Sequence, residues 1–133
     1  MTTNRIHVSA VVLRDASGRV LTVRKRRTSR FMLPGGKPEP GEDPSATAVR
    51  EVAEELGVAV DPARLRLLGT FTAPAANEVD HEVVATVYEH PPVEVHTPSG
   101  EIAEIRWFEV KSVDTALLAP LLSDAVFPQL VGG

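Results

Sequence analysis

The sequence predicts an α/β (α+β) fold, and three observations carry that expectation. Runs rich in β-branched residues stand near the start and again in the second half, as "IHVSAVVLR", "RVLTVRKR" and "HEVVATVYEH" do. Between them lies one segment of helical period with its own start and stop signals, from Pro44 to Leu56. A hydrophobic share of 43% and a charged share of 24% are those of an ordinary globular chain, so a packed core is expected over most of the 133 residues. That length predicts one domain, residues 1–133.

Taken in order, "IHVSAVVLR" and "RVLTVRKR" are separated by the turn signal "DASG", which predicts a hairpin of the first two strands. A glycine-proline loop follows, "LPGGKPEPGED". Asp43 is then a good N-cap, Pro44 suits the first helical position, and Gly57 can close the helix in a left-handed turn. On a helical wheel Ala46, Val49, Ala53 and Leu56 form a narrow apolar face, with Glu51, Glu54 and Glu55 opposite. "LRLLGTFTAP", "HEVVATVYEH" and "EIRWFEV" read as further strands, joined by the loops "APAANEVD" and "PPVEVHTPSG". From Ser112 to Val131, leucine pairs alternate with Pro120 and Pro128, predicting one or two short helices.

Charge and composition narrow the function classes. A net charge of −4 offers no general attraction for a nucleic acid polymer or an anionic membrane. No long apolar run near the N-terminus reads as a signal peptide or membrane span. With no cysteine there is no disulfide or thiolate metal site, which fits a reducing compartment, and a cytoplasmic location is the expectation. His7, His81, His90 and His96 lack zinc-site spacing, and "GGK" lacks the remaining residues of a P-loop.

The helix draws attention because its carboxylates crowd together. Like charges at i,i+3 and i,i+4 repel, and no lysine is interspersed to relieve them. Three adjacent carboxylates suit a hard divalent cation such as Mg²⁺ or Mn²⁺. The cations of the neighbouring stretch, Arg24, Lys25, Arg26, Arg27, Arg30 and Lys37, supply six of the chain's 14 basic residues. Of these, Arg24, Arg26 and Lys37 are the expected phosphate contacts. Phe31, Phe71, Tyr88 and Trp107 are expected mainly in the core.

Gly36, Glu42, Arg50, Glu51, Val52, Glu54, Glu55, Gly57 and Val58 together stand at the spacing of the Nudix signature, and this chain resembles the Nudix hydrolases. Chance would produce such a match on the order of once in 10⁹ to 10¹⁰ windows. The resemblance implies a mixed β-sheet sandwiched between helices. It implies that Glu51, Glu54 and Glu55, helped by a carbonyl at Gly35 or Gly36, hold Mg²⁺ (or Mn²⁺) against the phosphates of a nucleotide-type small molecule. Arg50 would orient the glutamates through Glu42, Gly36 would let the backbone approach the substrate, and Glu101 would be the additional acid or base, with Glu104 its rival. A compact MutT-like member would cleave a (deoxy)nucleoside triphosphate to monophosphate and pyrophosphate. Pro74, 16 positions after Val58, points instead to ADP-ribose or another nucleotide sugar, and a non-catalytic nucleotide sensor is a further alternative. Homodimer formation stays open.

Overall fold

The structure, a computed structural model, describes residues 4–75, 79–95 and 100–131. Six strands and two α-helices occur in it: β1 (Asn4–Leu13), β2 (Val20–Lys25), β3 (Gly35–Gly36), α1 (Pro44–Leu56), β4 (Arg66–Pro74), β5 (His81–His90), β6 (Ile102–Phe108) and α2 (Phe127–Val131). A 3₁₀ turn precedes β4 at Pro62–Arg64, another spans Thr115–Leu117, and a π-helical stretch at Leu121–Val126 leads into α2.

The strands form a mixed sheet of order β3-β1-β5-β4 and a separate β2-β6 pair. β1 runs parallel to β5, with Asn4 opposite His81 and Leu13 opposite His90, while β4 is antiparallel to β5. The expected hairpin of the first two strands is therefore not formed. Asp15 does make a tight turn, accepting from the Ser17 and Arg19 N–H groups at 2.9 Å each, but an Arg14–Val20 bridge is the limit of the pairing. Beyond it the strands part, because each forms a longer ladder elsewhere: β1 with β5 and β2 with β6. The loops "APAANEVD" and "PPVEVHTPSG" fall partly on residues 76–78 and 96–99, outside the described residues, as does His96.

Strand alternation explains the two cores. Ala10 and Val12 of β1 face one cluster, shared with Phe31, Val87, Leu118, Leu122 and Phe127. Val11 and Leu13 face the other, against Ala48, Val52 and Leu56 of α1. The central strand is thus buried on both faces, with α1 on one side and the C-terminal helical segment on the other. This is a mixed sheet between helices.

Helix α1 has the 13 residues and caps that its sequence predicts. Its apolar face differs from the expectation: Ala48, Val52 and Leu56 are fully buried, whereas Ala46 and Ala53 are exposed and Val49 lies between. Ala46 and Ala53 offer little apolar area, and the rotation that buries the larger Val52 with Leu56 carries Glu55 to the edge of the core. Phe31 sits in the core as expected, edge-on to Phe108 with centroids 5.4 Å apart. His90 is a structural residue: its Nε2 accepts the Asp61 N–H at 3.0 Å, and Nδ1 lies 2.8 Å from the Pro91 carbonyl.

Candidate active site

The caps of α1 hold the acidic residues in place. Asp43 Oδ1 accepts the Ala46 N–H at 2.8 Å, and Gly57, at φ 67°, returns its N–H to the Ala53 carbonyl at 3.0 Å. The rotation set by these caps and by Val52 presents Glu51 and Glu55 to the Gly35–Gly36 strand. Glu55 is 7% exposed and accepts the Gly35 N–H through Oε1 at 3.0 Å.

Both glycines bring the backbone close to its neighbours, and at Gly35 that neighbour is itself backbone. A Cβ at Gly36 would stand 2.5 Å from Glu51 Cδ and Oε2, and one at Gly35 would collide with the Ser9 carbonyl. Pairing of Gly35 and Gly36 with Ala10 and Ser9 of β1 locks this contact into the central sheet.

Arg50 ties the preceding loop to the helix. Its Nε donates to Glu42 Oε2 at 2.7 Å and its Nη2 to Glu42 Oε1 at 3.0 Å and the Lys37 carbonyl at 2.9 Å. Nη1 donates to Glu51 Oε1 at 2.9 Å and to both Glu54 oxygens at 3.3 Å. The expected link of Arg50 through Glu42 is present. That bidentate contact holds the Glu42 carboxyl down at about 2, helped by the Glu39 N–H. The same carboxylates push the Arg50 guanidinium further up.

Glu55 shifts the other way, up to about 7. Burial is the main cause, the Gly35 N–H and Lys25 oppose it, and the charges of Glu51 and Glu101 add to it. Among the described residues no three acidic or imidazole groups converge on one point as the side chains stand, because Arg50 draws Glu51 and Glu54 toward itself. The donor set nonetheless fits a hard divalent cation: all-oxygen ligands, two of them against a cradle that a Cβ would fill, and a third, Glu54, on a side chain that is 57% exposed.

The remaining sites named from sequence divide. Glu101 is exposed at the start of β6, and its charge acts on Glu55. Glu104 is paired with Arg24 at 3.1 Å across the β2-β6 ladder. Arg24 also donates to the Thr28 carbonyl at 2.8 Å, and Arg26 to the Gly100 carbonyl at 3.2 Å, so both guanidiniums are engaged away from the glutamates. Lys37 is exposed and meets the site through its backbone carbonyl.

A cleft of about 170 Å³ opens beside Gly35 and Gly36, walled by Ile6, Val8, Pro74, Val83, Leu121 and Leu122. It runs along the face of β1 beneath the C-terminal segment, and its position was not legible in the sequence. Lys25 also lines it. The alternation of a strand was the signal for that residue: Arg24 and Arg26 share one face, and Lys25 takes the other.

Comparison with known proteins bears on the family and the fold. The NUDIX domain model matches residues 3–129. The isopentenyl-diphosphate Delta-isomerase of Nocardia farcinica is 35% identical over 121 residues, covering 83% of this chain and 67% of that protein. A putative 8-oxo-dGTP diphosphatase of Bacillus subtilis is 31% identical over 71 residues, or 53% of this chain, which spans about half of that relative's length (46%). Among solved structures, a NUDIX hydrolase from Nitrosomonas europaea superposes with a TM-score of 0.75 at 20% identity, covering 97% of this chain and 90% of that one. The MutT protein from Methanosarcina mazei Go1 gives 0.69 at 24% identity, covering 84% and 81%. Those structural likenesses speak for the fold. With the motif capped on α1, glycines packed on its carboxylates and the domain match spanning nearly the whole chain, this protein belongs to the Nudix family of hydrolases.

Proposed function

We propose that this Nudix pyrophosphohydrolase cleaves a (deoxy)nucleoside triphosphate to the monophosphate and pyrophosphate. The observation that carries the reading is the packing of Gly35–Gly36 against Glu51 and Glu55 at the mouth of an apolar cleft. Glu51, Glu54 and Glu55, with a carbonyl of Gly35 or Gly36, would hold the divalent ion, Mg²⁺ or Mn²⁺. Such an ion, when bound, neutralises phosphate charge and acidifies water for attack on phosphorus. Arg50 keeps Glu51 and Glu54 on one side of the helix and braces the loop through Glu42. Glu101 is the additional acid or base that this reading prefers, because its charge reaches Glu55 while Glu104 is occupied by Arg24. The cleft receives the nucleoside by apolar contact.

A second reading has its own support: Pro74 lines the cleft, which favours ADP-ribose or another nucleotide sugar. A panel of deoxynucleoside triphosphates, ADP-ribose, dinucleoside polyphosphates and isopentenyl diphosphate, assayed with Mg²⁺ and Mn²⁺, separates these. Fastest turnover of a triphosphate, with pyrophosphate released, is expected. Preference for ADP-ribose would replace the first reading with the second, and tight nucleotide binding without turnover would make the protein a sensor.

A further inference from the structure

Alternation along β1 gives one face of the strand to the C-terminal segment, and Ile6, Val8, Ala10 and Val12 all fall on it. Arg14 is next in that series. It stands one residue past the end of β1, still paired through its bridge to Val20, where an apolar side chain would continue the pattern. Arg14 instead lines a second cavity, of about 290 Å³, together with Arg19 of the β1-β2 turn, Glu109 and Lys111 beyond β6, and Leu130 of α2. None of these residues borders the cleft beside Gly35 and Gly36. Val12, Val126 and Phe127, which lie between the two linings in sequence, are packed in the core, so the cavities are separate.

Three cations and one carboxylate border this second cavity, in a chain whose net charge is −4. The carboxylate is engaged, since Glu109 Oε2 accepts the Ser112 hydroxyl at 3.1 Å. Arg19 gives its Nε to Asp15 Oδ2 at 2.7 Å, and its amino groups have no acceptor among the described residues. Lys111 is exposed and makes no ion pair among them. Arg14 is the telling member. It is half-buried with its Nε fully enclosed, and its guanidinium finds no acceptor among the described residues. Enclosing a charged donor without an acceptor is costly. A cation placed only to cap α2 would donate to the last carbonyls of that helix, and a side chain placed only to end the core would be aliphatic. Arg14 does neither, and its amino groups are left to the cavity. Two guanidinium forks and one ammonium suit a phosphate group, whose several acceptor oxygens and more than single charge can engage them together.

We propose that this cavity, apart from the candidate active site, binds an oxyanion of the phosphate class, held by Arg14 from within and by Arg19 and Lys111 at the rim. The site stands whatever the first cleft hydrolyses. Its test is titration of isotope-labelled, metal-free protein with inorganic pyrophosphate at constant ionic strength, followed by amide resonances and by calorimetry. The amides of Gly18, Arg19 and Lys111 should shift saturably while those of Gly35 and Gly36 hold still, because without a metal ion the glutamates repel an anion there. Arg14→Met should weaken binding about tenfold and Lys111→Met about threefold, whereas Lys25→Met, in the wall of the first cleft, should leave it within about twofold. Arg14→Gln serves if the methionine variant fails to fold, and the resonance map of the wild type needs no variant. Saturable shifts at Gly35 and Gly36 in place of Gly18, Arg19 and Lys111, wild-type affinity in the Arg14 variant, or no saturable shift at any of these amides would overturn the proposal.

Discussion

Glu51, Glu54 and Glu55 share a helix, yet they stand in different surroundings. Glu54 is exposed, so its loss should cost activity and little else. Glu54→Gln is expected to lower turnover by about two to four orders of magnitude, with stability within about 0.5 kcal/mol of wild type, measured by initial rates and chemical denaturation. Near-normal rates would take Glu54 out of the reaction. Glu55 is buried with its pKa raised to about 7, which makes its charge a liability in the metal-free fold. The folded form keeps its proton while the unfolded chain releases it near the ordinary carboxylate value, so stability falls as pH rises from about 4.5 to about 7. Metal-free Glu55→Gln should therefore be more stable than wild type above pH 7, by up to about 3 kcal/mol, with the gap closing below pH 4.5. A gap that does not change with pH would refute the assignment. Glu42 has the opposite sign: its lowered pKa gives stability that is present above about 4.5 and lost as pH falls toward 2, so Glu42→Gln should flatten the acid limb of a Tm-versus-pH curve.

Helix α1 is the part that could be read in full from neighbouring residues. Asp43, Pro44 and Gly57 bound it, and the structure places each where capping chemistry expects it. Asp43→Ala should cost about 0.5–2 kcal/mol, and Gly57→Ala about 1 kcal/mol, because the alanine must enter the left-handed region; thermal melts check both. The two-residue strand β3 is harder to read, since no propensity marks a pair of glycines as a strand. Its existence depends on Ser9 and Ala10 as partners, and the Glu51 carboxylate occupies the space that a Cβ at Gly36 would take. Gly36→Ala should displace Glu51 and depress turnover far more than it depresses Tm.

At the level of the assembled chain, the cleft is made by parts distant in sequence: Ile6 and Val8, Pro74, Val83, Leu121 and Leu122. Its described walls are mainly aliphatic. A hydrophobic pocket discriminates related substrates by about 10–200-fold, against far larger ratios where hydrogen-bonding groups read the ligand. The kcat/KM values for the four deoxynucleoside triphosphates should thus lie within about two orders of magnitude of each other. A sharper preference would mean that a polar group reads the base.

Helix α1 was legible along a line because it depends on short spacings: its caps fix 13 residues and place Glu51, Glu54 and Glu55 on one short stretch, although among the described residues no three acidic groups converge as the side chains stand. The same locality identified β5 residue for residue. It failed where distant segments compete for one another. β1 pairs with β5, 77 positions away, and not with the strand next to it, because β5 offers a ladder along the whole strand while α1 and the C-terminal segment cover its two faces. Alternation along β2 then put Lys25, and not Arg24, on the wall of the cleft beside Gly35 and Gly36. Rotation of α1 about its axis was settled likewise by packing: burying Val52 and Leu56 against β1 outweighed the exposed alanines and drew Glu55 under cover. Covalent spacing dictates which groups travel together; which way they face is decided by the contacts that exclude the most water.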